Sequence, residues 1–259
     1  MTRLLAGPWL GEFGWELMTW VPHLRSLGRD MIVVCKPGHE FLYSDFASTF
    51  EVYNTHEYGD MWYPKRFPTC KPHMPKEISQ RYPGYTVYSP NKTRCVKRER
   101  VYSAYGSVQK KNGYDLVIHA RHETKYNQEN RNYPVKRYIK LLRILRQDRD
   151  VSVCSVGTKA YHIPGTEDRR FCDLSDLADI FASSRLALGT SSGPMHFASL
   201  CKCPHVVITY NKFERGIGGT NRLRYTRLWN PFKTPCVILD DHGWKPPIEV
   251  VEEAVRKFI

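Results

Sequence analysis

The segment Leu188-Gly189-Thr190-Ser191-Ser192-Gly193-Pro194-Met195-His196-Phe197-Ala198 constrains this chain more than any other. An apolar run stops at a turn of small residues and then resumes with a proline, which sits well in a first helical turn. The pattern predicts strand, turn, helix. Free backbone N–H groups at such a helix start, with the positive end of its dipole, make an anion site. Ser191 and Ser192 can cap the helix, give their hydroxyls to a phosphate, or do both. An ordinary capped turn has the same sequence, so the turn alone leaves both readings open.

The same alternation runs through the rest of the chain. Residues Arg3 to Leu10 read as a buried strand, followed by the loop Gly11-Glu12-Phe13-Gly14. Trp15 to Leu27 then places apolar residues at 17, 20, 21, 24 and 27 and stops at Gly28, the spacing of a helix. Met31 to Cys35 is a second strand. A second series starts near Tyr114, with strands at Asp115 to His119, Val151 to Val156, Arg185 to Leu188 and His205 to Thr209. Helices are expected from Pro134 to Arg146, from a cap at Asp173 to Ser183, from Gly193 to Leu200, and from Pro247 to Phe258. Two βαβ series predict an α/β protein of two Rossmann-like domains with parallel sheets. The boundary is expected near residue 112, giving domains 1–112 and 113–259.

Charge is concentrated between Pro64 and Lys111. That stretch holds twelve Lys and Arg against Glu77 and Glu99, a net +10 out of +13 for the whole chain. Among them are Lys65, Arg66, Lys92, Arg94, Lys97, Arg98 and Arg100, interleaved with Phe67, Tyr82, Tyr85, Tyr88, Tyr102 and Tyr105 and with six prolines. The prolines rule out one regular element. A solvated basic face and a polyanion-binding segment share this composition. No run of about 18 apolar residues is present for a spanning helix, and the N-terminus lacks signal-peptide architecture, so a cytoplasmic protein is expected (in a host cytoplasm if viral). The eight cysteines, several within apolar strands, fit free buried thiols. Cys70, His73 and Cys95 fall short of a structural zinc signature.

The run from Asp173 through Ile208, DLSDLADIFASSRLALGTSSGPMHFASLCKCPHVVI, resembles the heptosyltransferase family (glycosyltransferase family nine). So does Arg131-Asn132-Tyr133-Pro134-Val135-Lys136-Arg137-Tyr138. The resemblance covers residues 116 to about 210, and the N-terminal strand-loop-helix more loosely. It implies a GT-B fold, two Rossmann-like domains facing across a cleft, with the donor nucleotide on the C-terminal domain and the acceptor on the N-terminal one. It departs at Ser191, where the family carries Asp.

Carried over residue by residue, the resemblance makes Thr190, Ser191, Ser192, Gly193, Met195 and His196 the donor-phosphate seat. Arg131 falls where the family has a lysine facing the phosphates, and a guanidinium fork suits phosphate oxygens. Arg121, at the end of the first strand of that domain, is a second phosphate candidate, its alternative being a salt bridge to Glu123 or Glu129. His196 is also read as a core-packed histidine. Lys212, Arg215 and the Gly216-Ile217-Gly218-Gly219 loop are candidates to close over donor or acceptor. Inverting transfer needs a base for the acceptor hydroxyl. Pro22-His23-Leu24-Arg25-Ser26-Leu27 matches a family segment whose catalytic Asp stands six residues earlier, the place of Glu16 here. Glu12 competes, and Glu16 also reads as a first-turn glutamate favoured by the helix dipole. The resemblance implies no metal and no cofactor, only a nucleotide-sugar co-substrate, UDP- or ADP-linked.

Three acceptor readings follow. The basic segment favours DNA, with sugar transfer to a hydroxylated base, as in phage-type DNA glycosyltransferases that share the GT-B architecture. A glycan or lipid-linked saccharide is the alternative, with the positive charge meeting anionic groups. A non-catalytic nucleic-acid-binding protein on a degenerate GT-B fold is the third. A nucleotide-sugar epimerase fits less well, because such enzymes are normally longer.

Overall fold

The computed structural model describes residues 3–53, 74–90, 99–109, 113–123, 129–212 and 219–259. The chain divides into two compact units, Met1–Ser103 and Ala104–Ile259.

The first unit holds four parallel strands, β1 (Leu4–Ala6), β2 (Met31–Cys35), β3 (Thr49–Val52) and β4 (Thr86–Tyr88), in the order β3-β2-β1-β4. β1 is central, with Leu5 between Ile32 and Val87. It is shorter than the apolar run that predicted it, because Gly7 turns the chain at φ +116°. A Cβ there would stand 2.3 Å from the Val34 carbonyl oxygen, so only glycine fits. Phe13 to Ser26 then forms one helical passage in three parts: α1 (Phe13–Trp15), a π-helical segment Glu16–Trp20, and α2 (Val21–Ser26). Its Leu17, Trp20, Val21 and Leu24 are buried at the spacing the sequence showed. Trp20 stacks between Trp9 and Tyr88, with centroids 6.3 and 5.8 Å away. Leu5, Ile32, Val34 and Ile78 form a core cluster, Ile78 coming from α3 (Lys76–Arg81). The described parts of the basic segment thus do structural work: α3 supplies that core side chain, and β4 extends the sheet.

The second unit is a six-stranded parallel sheet, β5 (Leu116–His119), β6 (Val153–Val156), β7 (Glu167–Arg169), β8 (Ala187–Thr190), β9 (His205–Ile208) and β10 (Cys236–Leu239). Their order is β10-β9-β8-β5-β6-β7. Its helices are α4 (Val135–Asp148), α5 (Leu174–Ser183), α6 (Gly193–Leu200), α7 (Asn221–Arg227) and α8 (Ile248–Arg256). Tyr138, Leu141, Leu142 and Leu145 of α4 share a core with Ile248, Val251, Ala254 and Val255 of α8, beneath Ile118, Leu188 and Ile208. Residues 104–109 belong to this unit: the Tyr105 N–H donates to the Leu200 carbonyl, and Gln109 and Ser107 bind Asp179. The chain lays down β5, β6 and β7 outward in one direction, then returns to place β8 on the other side of β5. The order therefore reverses between β5 and β8, the point where open α/β sheets hold ligands at their carboxyl ends.

Several short elements escaped periodicity. β7 reads Glu-Asp-Arg and β4 is half exposed, so neither carries the apolar alternation that marks a strand. The six described cysteines are free thiols, and Cys35, Cys154, Cys201 and Cys203 are buried. Among the described residues no helix is long and apolar enough to cross a membrane.

Candidate functional site

The turn at residues 190–193 stands at the switch point of the second sheet. β8 ends at Thr190, Ser191 donates its N–H to the Ile208 carbonyl, and α6 begins at Gly193. Ser192 is the N-cap residue in extended backbone, but its hydroxyl makes no cap bond. It meets His119 Nδ1 at 3.2 Å instead. The first-turn N–H groups of Gly193 and Met195 have no acceptor within the helix. Ser192 and Gly193 are partly exposed, whereas Met195 is fully buried. Met195 can therefore offer a ligand its N–H and not its side chain. The Thr190 hydroxyl is buried without a hydrogen-bond partner.

Arg131 reaches this turn. Its Nη2 donates to the Ser191 carbonyl at 2.8 Å, and its guanidinium lies over the Trp244 ring at 4.8 Å. Tyr210, just beyond β9, also packs against Trp244, with ring centroids 5.1 Å apart. Arg121 follows β5 and is buried, with Nη1 donating to Asn132 Oδ1 at 2.9 Å. The same Asn132 oxygen accepts the Glu123 N–H, while the Glu123 carboxylate pairs with Lys159 at 3.2 Å. Asn132, next to Arg131 in sequence, thus ties Arg121 and Glu123 together. Lys212 is exposed on the coil after β9.

Three buried histidines of the second unit are held neutral. Burial, with Arg121 adding to it, pushes His119 down to about 3. His196 also falls to about 3, through burial and then the proximity of His205, Arg131 and Arg224. His205 falls to about 4 by burial. His196 is packed against Trp229, at 4.4 Å between centroids, and its Nδ1 meets the Tyr225 hydroxyl at 3.2 Å. The core-packed reading of His196 describes its side chain. Arg224, which sequence reasoning passed over, is buried nearby and binds Asn221 Oδ1 and the Gly219 carbonyl. Its signal was weak, one basic residue in a short helix rich in them.

In the first unit, Glu16 begins the π-helical segment and is completely buried. Its two oxygens are taken: the Tyr43 hydroxyl donates to Oε1 at 2.6 Å, and His39 Nδ1 stands 2.9 Å from Oε2. Burial by itself raises the carboxyl, but His39, Lys36 and the Tyr43 hydrogen bond together outweigh it. The net shift is downward. Glu16 is a buried carboxylate. Glu12 is exposed at the N-cap of α1, and its carbonyl accepts the N–H groups of Trp15 and Glu16. Both lie in the loop-to-helix passage at the carboxyl end of β1. His39 follows β2 in Lys36-Pro37-Gly38-His39, a loop the sequence reading did not single out. Its one signal was a glycine-histidine pair just past a buried strand.

Of the basic-segment candidates, Lys65, Arg66, Lys92, Arg94, Lys97 and Arg98 lie outside the described residues, as does Arg215. So do Cys70, His73 and Cys95. Arg100 is described; its Nη1 is buried with no hydrogen-bond partner. Among the described residues no group of three or more His, Cys, Asp or Glu is placed to hold a metal ion.

The architecture is that of solved glycosyltransferase structures of the heptosyltransferase kind. Escherichia coli ADP-heptose LPS heptosyltransferase II superposes with TM-score 0.60 at 11% identity, over 99% of this chain and 98% of that one. E. coli heptosyltransferase WaaC, with ADP-2-deoxy-2-fluoro heptose, gives 0.58 at 9% identity over 99% of both chains. The glycosyl transferase family 9 protein of Veillonella parvula gives 0.57 at 12% identity, over 99% and 96%. No family model and no curated protein matches the sequence. The sequence resemblance and the fold point the same way.

Proposed function

We propose that this protein transfers a sugar from a nucleotide sugar to a hydroxyl of a saccharide acceptor. The observation that carries this reading is the helix start at the β5/β8 switch point with Arg131 fastened to its turn. Free N–H groups of Gly193 and Met195 and the positive helix end attract a diphosphate. Arg131, held between the Ser191 carbonyl and the Trp244 ring, brings a fixed cation to the same place. Such groups meet the negative charge that gathers on a departing nucleoside diphosphate. Arg121, Thr190 and Ser192 complete the donor seat, with Lys212 exposed on the coil after β9. The donor is taken to be an ADP-sugar, in line with the ADP-linked ligands of the solved heptosyltransferases.

A saccharide is preferred to a DNA base as acceptor because the fold neighbours include an ADP-heptose LPS heptosyltransferase and a heptosyltransferase that holds ADP-2-deoxy-2-fluoro heptose. The basic segment would then meet phosphate or carboxylate groups on the acceptor. The test is a thermal-shift panel of ADP-heptose, ADP-glucose, UDP-glucose and the free diphosphates. A ligand that binds only folded protein raises its melting temperature. An ADP-sugar is expected to give the largest shift. No shift from any nucleotide sugar would overturn the reading. Filter binding to duplex DNA across a salt series decides the acceptor: strong binding with a steep salt slope would restore the DNA reading.

A further inference from the structure

Glu16 stands where the resemblance implies the base, yet it is completely buried and both its oxygens are engaged. A carboxylate held in that way is ill placed to reach an acceptor hydroxyl. His39 is different. Its side chain is 18% exposed, and its ring is fixed by Glu16 on one side and by an edge contact with Phe13, at 5.7 Å, on the other.

We propose that His39 is the group that takes the acceptor's proton, with Glu16 as its positioning residue. The assignment rests on the glycosyl-transfer reading above. Glu16 is ionised and accepts only, so His39 Nδ1 must carry a proton and donate it to Oε2. In the neutral ring that leaves the lone pair on Nε2. Among the described residues no group hydrogen-bonds Nε2. The carboxylate fixes the tautomer and the ring orientation, and it stabilises the imidazolium once formed.

The reaction balances with these groups alone. The acceptor hydroxyl proton passes to His39 Nε2 as the acceptor oxygen bonds to the anomeric carbon. The bond from that carbon to the diphosphate oxygen breaks, and its electron pair leaves with the nucleoside diphosphate. Glu16 stays ionised throughout, held by Tyr43 at Oε1.

The setting favours the assignment. Glu16 follows β1 and His39 follows β2, so both stand at the carboxyl end of adjacent parallel strands, where open sheets gather ligands. Glu16 opens a π-helical segment, a helix irregularity frequent at functional sites. The other titratable groups there are Lys36 and Cys35 at the end of β2 and Glu40 and Tyr43 on the turn beyond. Lys36 Nζ donates to the Gly11 carbonyl at 3.0 Å. Burial, then Glu40 and Glu16, pushes the Cys35 thiol up to about 12, so it stays protonated.

The test uses the full chain and two substitutions. H39Q keeps an amide that can donate to Glu16 but cannot take a proton near neutral pH. E16Q removes the charge while keeping an acceptor. ADP release from ADP-heptose with a lipopolysaccharide-core saccharide is followed across pH. H39Q is expected to lower kcat by about 10²–10⁴-fold, the usual contribution of a general base, with the donor KM within twofold. Added imidazole should recover part of the loss in H39A. E16Q should lose less, and its ring should show a larger share of the Nε2–H tautomer, because a neutral amide holds the Nδ1 proton less firmly than a carboxylate does. Long-range ¹H–¹⁵N spectra should show the Nδ1–H tautomer in the wild type, a readout independent of turnover. Near-wild-type kcat in H39Q, or an Nε2–H tautomer, would overturn the assignment alone. A wild-type protein inert toward every nucleotide sugar would overturn the transferase reading and this one with it.

Discussion

Acidification between pH 7 and pH 5 should destabilise the second unit through three histidines. His119, His196 and His205 titrate near 3, 3 and 4 in the folded protein, against about 6.5 in an unfolded chain. Because the folded values are depressed, the unfolded state binds more protons below 6.5. Stability is full above that value and is lost as pH falls toward 4. For each histidine the loss from pH 7 to pH 5 is about 2 kcal/mol, or about 6 kcal/mol for the three together. That is comparable to the whole net stability of a small domain. Near pH 5 the slope approaches about 4 kcal/mol per pH unit. Carboxylates do not confuse this window: Glu16 and Asp115 are also depressed, but such groups lose stability only below the ordinary carboxylate range. Guanidinium unfolding followed by circular dichroism at pH 7, 6 and 5 reads the effect. His205→Gln removes one titrating group and should reduce the drop by about a third. Equal stability at pH 7 and pH 5, or an unchanged slope in His205→Gln, would refute the argument.

Other outcomes follow from single contacts. Arg131→Ala should weaken ADP binding about tenfold or more, as expected for loss of a charge-assisted phosphate contact; unchanged affinity by calorimetry removes it from the donor seat. Gly157→Ala should destabilise by about 2–4 kcal/mol. The residue stands at φ +103°, and a Cβ would come within 2.6 Å of the His119 ring; denaturant midpoints within error of wild type would show that the ring gives way. Arg222→Met strips the partner from Asp240, a buried carboxylate at the end of β10. A loss of about 1–3 kcal/mol is expected, discounted because Arg222 is half exposed; a thermal melt unchanged from wild type would contradict it.

The alternation of the sequence determined the parallel α/β class, most buried strands, and the helices whose apolar faces repeat every three or four residues. Leu141, Leu142 and Leu145 announced α4 because burial on one face is a local pattern. The turn at 190–193 was legible for the same reason, since small residues and a proline act on their own backbone. Strands β4 and β7 were not: they are short, exposed edges, and their strand character comes from the neighbours they pair with. The site divided along the same line. Arg131 was singled out from sequence, but its hold on Trp244, 113 positions away, arises only when α4, β8 and the turn after β10 converge. Glu16 was singled out, yet its burial was not legible, nor the Tyr43 and His39 contacts that hold it as a fixed charge. Chain pattern records which residues face inward. Which polar groups then meet, and which of them keeps an open lone pair, depends on distances that only the folded chain sets.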